Sequence, residues 1–199
     1  MTAADKESIP PLFQAIGTMP GRLAVNESGR YQLDTPDGSS FPVFIKGWLY
    51  KRIRETPDWL GQELAWSVYP KTDQLGRLTY FQLIRVGAQP TRQADEFHIS
   101  GRVVPAPGEG LIGVRIQPNR PRNQPSKPGK TALPGRLFSP FYINLHGYLP
   151  GDPKGEVWRF VCQRQGGHLE MVDGVKVKAR RAQKKQKKTK GAGAVASTS

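Results

Sequence analysis

The stretch Phe41–Leu49, FPVFIKGWL, returns one hundred residues later as Phe141–Leu149, FYINLHGYL. Both are short runs of aromatic and β-branched residues that close on Gly-aromatic-Leu, Gly47-Trp48-Leu49 and Gly147-Tyr148-Leu149. Runs of this length, bounded by Pro and Gly, read as buried strands; a helix needs more residues. The glycine near each end predicts a bulge or a tight bend.

The echo continues outward. Upstream of Gly47 lies Phe13-Gln14-Ala15-Ile16-Gly17, and upstream of Gly147 lies Phe97-His98-Ile99-Ser100-Gly101. The second interval is longer by about sixteen residues, which matches one interruption, PNRPRNQPSKPGKTALP at 118–134. Downstream, each copy has a Trp-containing strand, around Trp66 and around Trp158. Each then has a Gly turn and a last strand, 78–86 and 168–177. We read two copies of one β-unit.

The chain in order divides as follows. Residues 1–11 are polar, mixed in charge and expected to be disordered. The first unit spans 12–86 and opens on a strand at 12–25, curved at Gly17 and Gly21. A turn at 34–40, DTPDGSS, follows Tyr31-Gln32-Leu33. Residues 50–60 have room for a short helix limited by Pro57. A hairpin joins 63–69 to 77–86 across PKTDQLG. Residues 87–95 form the linker. The second unit spans 96–177, with the Pro-rich basic segment 118–134 as an exposed loop. Residues 178–199 form a basic tail expected to be disordered. The fold class is therefore all-β: two small five-stranded barrels in tandem, followed by that tail.

Charge narrows the partners. The formal net charge is +14. Nine Lys or Arg and no acid lie between Lys176 and Lys190, which leaves about +5 on the rest. The tail cations Lys178, Arg180, Arg181, Lys184, Lys185, Lys187, Lys188 and Lys190 have the footprint of a polyanion binder, as do Arg120, Arg122, Lys127 and Lys130 in the Pro-rich loop. The competing reading is a solubilising tail without a specific partner. No run of eighteen apolar residues suggests a membrane span. The start, MTAADKESIPPL, lacks the basic and apolar regions of a secretory signal. The single Cys162 sits in a strand pattern and reads as a buried apolar side chain; a reducing, cytoplasmic setting fits best.

A small curved sheet of about five strands, with Gly17 and Gly101 in the first strands and Gly47 and Gly147 after the third, resembles the OB-fold. The resemblance covers roughly 12–177 as two copies. It departs from the OB pattern in the second copy, where Pro150–Gly155 leaves room for a turn and not for the usual helix. What the resemblance implies is ligand binding on the curved face, most often to single-stranded nucleic acid or an oligosaccharide; for RNA or single-stranded DNA the need is aromatic platforms beside positive charge. The candidates are Trp48 and Tyr50 beside Lys46, Lys51 and Arg52, then Tyr69 beside Lys71, then Tyr80 and Phe81 near Arg77 and Arg85. In the second unit they are Arg115, Tyr142, Tyr148 and Trp158 with Arg159 and Arg164. Trp66 and Trp158 are expected in the core, since aromatics of small barrels mostly are.

Chemistry other than binding finds no support. His98, His146 and His168 are scattered and one cysteine gives no paired ligands, so no metal site is expected. Pro128-Gly129-Lys130-Thr131 lacks the earlier glycine and the following helix of a phosphate loop. From Phe97 to Gly151 the one acid is Glu109, so no carboxylate pair serves acid–base catalysis there. The chain reads as a non-enzymatic nucleic-acid binder without cofactors. The alternative is an assembly factor whose barrels bind a protein and whose tail docks an acidic surface.

Overall fold

The first strand, β1, pairs with three others, as does its counterpart in the second half of the chain. The structure, a computed structural model, describes residues 13–87, 93–117 and 140–177. Strand β1 (Gln14–Val25) is twelve residues long and buries Ala15, Met19 and Leu23. It pairs antiparallel with β6 over 14–17, with β4 over 17–22 and with β2 over 22–25. Such a path requires strong curvature, and two glycines permit close approach along it. A Cβ on Gly17 would lie 2.2 Å from the Phe97 ring, and one on Gly21 2.6 Å from the Asp34 carbonyl oxygen.

Strands β2 (Tyr31–Asp34), β3 (Ser40–Ile45), β4 (Glu63–Thr72) and β5 (Leu78–Val86) complete the first unit. Their order β1-β2-β3-β5-β4, with β4 back on β1, closes a five-stranded barrel. The closing pair β3–β5 is parallel over three residues, Val43 to Phe81 through Ile45 to Leu83. Inside lie Leu33, Phe41, Trp66, Val68, Phe81 and Leu83. Each such side chain stabilises the fold by about 1.5–3 kcal/mol relative to exposure. Trp66 donates its indole N–H to the Gly21 carbonyl at 3.0 Å, so its polar atom is satisfied in the core.

Five more strands follow: β6 (Glu96–Val104), β7 (Leu111–Ile116), β8 (Phe141–His146), β9 (Val157–Gln165) and β10 (His168–Lys176). Their pairings repeat the order, β6-β7-β8-β10-β9 with β9 back on β6. Between β8 and β10 one residue pair bridges the seam, His146 with Glu170, again parallel. The closed barrel is thus the first. Both motifs Phe-x-x-x-Gly meet at β1–β6, where Gly17 faces Phe97 and Ala15 faces Ile99. The two units are thereby one continuous ten-stranded sheet with a shared core, in which the Phe81 and Phe97 rings stack at 6.1 Å.

Several expectations need correction. The run at 41–49 is not one strand. β3 ends at Ile45, and Gly47, Trp48 and Leu49 open helix α1 (Gly47–Glu55), which continues into a 3-10 turn at Pro57–Trp59. Leu49 and Ile53, four residues apart, are the pair α1 buries. In the second copy Gly147 lies past the strand end in a bend with φ of 146°. The hairpin turn is also shorter than PKTDQLG, because β4 runs on through Pro70 to Thr72. Trp66 and Trp158 are both buried but not at matching registers. Trp66 faces Met19, whereas Trp158 faces Gly101. The segment 1–11, residues 88–92 of the linker expected at 87–95, the loop expected at 118–134 and the tail at 178–199 lie outside the described residues. No helix among the described residues is long and apolar enough to cross a membrane.

Candidate nucleic-acid interface

Strand alternation sorts the first unit's aromatics. On β3, Phe41 is buried while Pro42 and Phe44 point outward, and Phe44 is 59% exposed. Diagonally across on β5, two residues from the Gln82 that pairs with Phe44, Tyr80 is 41% exposed. A shallow groove runs between them, lined by Arg30, Tyr31, Pro42, Val43, Phe44 and Tyr80. From α1, Tyr50 meets Tyr31 edge to face with centroids 6.0 Å apart. Lys46, Lys51 and Arg54 are exposed around this end of the unit. Exposed ring faces beside cations are what base stacking needs. Lys51 is 3.7 Å from Glu55, a solvent-exposed pair that leaves its charge available to a stronger anion.

The helix divides the candidates placed on it. Tyr50 joins the Phe44 groove, whereas Trp48 and Arg52, four residues apart, line a separate hollow with Trp59 and Arg85. Tyr69 is half-buried on β4. Lys71 is spent on the other unit: its Nζ lies 3.4 Å from the Phe141 ring centroid, and burial lowers its pKa.

In the second unit one row crosses three strands. Arg102 on β6 faces Arg115 on β7, which faces Tyr142 on β8, and Tyr142 is exposed. Arg159 is exposed on β9, opposite Ser100. Tyr148 is 76% exposed just beyond β8, the most open of the large apolar side chains described.

Arg164 is a correction. Its side chain is 3% exposed. Its Nε donates to Asp95 at 2.7 Å, and one terminal nitrogen donates to Asp37 at 2.7 Å and to the Gly166 carbonyl at 2.9 Å. It ties the β9–β10 turn to the β2–β3 turn of the other unit, and its burial between those two carboxylates keeps it from a phosphate in this arrangement. The guanidinium, with Thr35 behind it, holds the Asp37 carboxyl well below the usual carboxylate range. Asp95 takes a left-handed φ of 58° to make its contacts.

Sequence reasoning missed Phe44, Tyr31, Arg30, Arg54 and Arg102. The alternation Phe41-Pro42-Val43-Phe44 carried the signal for Phe44, but the run was read as wholly buried. Arg120, Arg122, Lys127, Lys130 and the tail cations from Lys178 to Lys190 lie outside the described residues. Burial pushes the Cys162 thiol up to about 12, which makes it a packing residue and not a nucleophile. Among the described residues no three His, Cys, Asp or Glu side chains gather as a metal site.

Comparison with curated proteins and with solved structures found no match. Residues 99–178, from within β6 to the end of the second unit, match a family described as the cyanobacterial OB-fold-like RNA-binding domain, C-terminal, a family of RNA binders and not of enzymes.

Proposed function

We propose that the whole chain binds single-stranded RNA without base-specific readout and has no catalytic role. Two tandem units, 12–86 and 96–177, supply the surface, and the second is a barrel of the same strand order as the first. The segments 118–134 and 178–199 add phosphate contacts through counterion release. The observation that carries this reading is the Phe44–Tyr80 groove, where outward aromatic rings lie beside Arg30 in the unit that the family match does not reach. A core aromatic would be buried, whereas both of these rings stand open to solvent on the outer face of the sheet.

The test is binding of a fluorescent oligouridine to the full chain by anisotropy. Replacing Phe44 and Tyr80 together by Ala is expected to weaken binding by about 2–6 kcal/mol, at roughly 1–3 kcal/mol per stacked base. Thermal stability is expected to hold, since both rings are exposed. Undiminished affinity in that double variant would sink the reading. Binding of a protein partner on the same patch, with no response to oligouridine, would favour the assembly-factor alternative.

A further inference from the structure

Arg102 and Arg115 face each other directly across β6 and β7. Like charges in that position destabilise a sheet. No ion pair to either guanidinium is found among the described residues; Arg102 donates to the Gly155 carbonyl, and Arg115 Nε is buried with no hydrogen-bond partner. A second orphan lies close by. Ser100 sits two residues before Arg102 on the same face of β6, is 3% exposed, and its Oγ has no partner. Ser100 faces Gln14 of β1 on one side and Arg159 of β9 on the other, and all three line one groove at the junction of the units. The carboxylate in that groove, Asp173, accepts the Gly174 N–H at 2.8 Å. Buried polar atoms without partners are rare in folded proteins and point to an absent hydrogen-bonding species.

We infer that this outer face is a two-phosphate track for an RNA backbone. One phosphate lies between Arg102 and Arg115 and takes the Arg115 Nε–H. The next lies at Arg159 and takes the Ser100 hydroxyl. Tyr142, beside Arg115, receives the base that leaves the first phosphate. Neighbouring strands are about 5 Å apart, and residues two apart on a strand about 7 Å, so the two clamps are separated by roughly a nucleotide step. Gln14 at the far end belongs to the first unit, so the track ends on the seam and hands the strand from one unit to the other. This inference rests on the RNA reading above.

The experiment is oligouridine binding to the full chain as a function of salt. For single strands the slope of log affinity against log salt is about −0.7 per phosphate neutralised. The paired change Arg102→Gln with Arg115→Gln is expected to make the slope shallower by about 0.7 and to weaken binding about tenfold at low salt. Its melting temperature is expected to stay or to rise, because a like-charge pair is removed. Arg159→Gln is expected to remove a similar slope. Ser100→Ala is expected to weaken binding severalfold without lowering the melting temperature, since it deletes an unsatisfied hydroxyl. A paired variant with the wild-type slope overturns the track while leaving RNA binding intact, and so does a Ser100→Ala protein that melts earlier yet binds as before. A wild-type chain that ignores oligouridine in dilute buffer overturns both the track and the reading beneath it.

Discussion

The two units share a strand order and differ in what their outer faces offer. In the first, β3 and β5 close the barrel over three residue pairs, a helix follows β3, and the exposed face is aromatic. In the second, β8 and β10 meet at one pair, a turn replaces the helix, and the face beside β6 is cationic. The interior pattern is therefore a requirement of the sheet, met twice. The outer residues are free of that requirement, and they diverge: rings dominate the groove beside β3, whereas guanidinium groups, with Tyr142 at their end, dominate the row beside β6. A nucleic acid asks for both.

The comparison is broken most severely at the contact that joins the units. Arg164→Ala leaves Asp37 and Asp95 facing each other without their shared cation. The loss is expected to be about 2–3 kcal/mol, less than for a fully buried pair, because Asp37 keeps 40% of its side chain in water. Chemical denaturation checks this, and a second unfolding transition in that variant would show the units melting separately.

The matched glycines come next. Gly101→Ala would place a Cβ 2.7 Å from the Arg115 carbonyl oxygen and 2.5 Å from Val114, so β7 backbone must move. Gly17→Ala meets the Phe97 ring, a side chain, at 2.2 Å. Both are expected to lose about 1–3 kcal/mol, with Gly101 at the upper end because backbone yields less than a ring. Equal melting temperatures for the two variants would show that the copies absorb a methyl group alike.

The smallest effect is with pH. Asp37 has a lowered pKa in the folded state, so its contribution is complete above the ordinary carboxylate value of 3.8 and declines as pH falls below it. Wild-type stability is expected to drop more steeply than that of Asp37→Asn between about pH 4 and strongly acid conditions. Parallel acid titrations would remove Asp37 from the junction.

Much of the fold was legible because the core repeats chemistry. Phe-x-x-x-Gly occurs twice since each first strand must bend at a glycine covered by a neighbouring group, and Phe97 covers Gly17 directly. The Gly-aromatic-Leu echo misled because three residues do not encode conformation. In the first copy Leu49 has Ile53 one turn later to bury with it and becomes helix; in the second, Leu149 is followed by a bend at Pro150-Gly151 and stays irregular. Arg164 was misjudged because its partners, Asp37 and Asp95, lie far away in the chain, and only the packing of one unit on the other brings them together. Arg102 went unnoticed because its importance depends on register: opposite Arg115 it is half of a clamp, and one residue either way it would face inward.

The seam between β1 and β6 has one more consequence. Ala15 and Ile99 occupy the same place in their motifs and face each other, so the pairing is related to itself by a half-turn about that point. This is the geometry of an isologous contact, in which one patch serves both partners. A lone unit would expose an unpaired strand edge that fits another copy of itself, and the tandem chain fulfils intramolecularly what two separate molecules would otherwise accomplish as a homodimer.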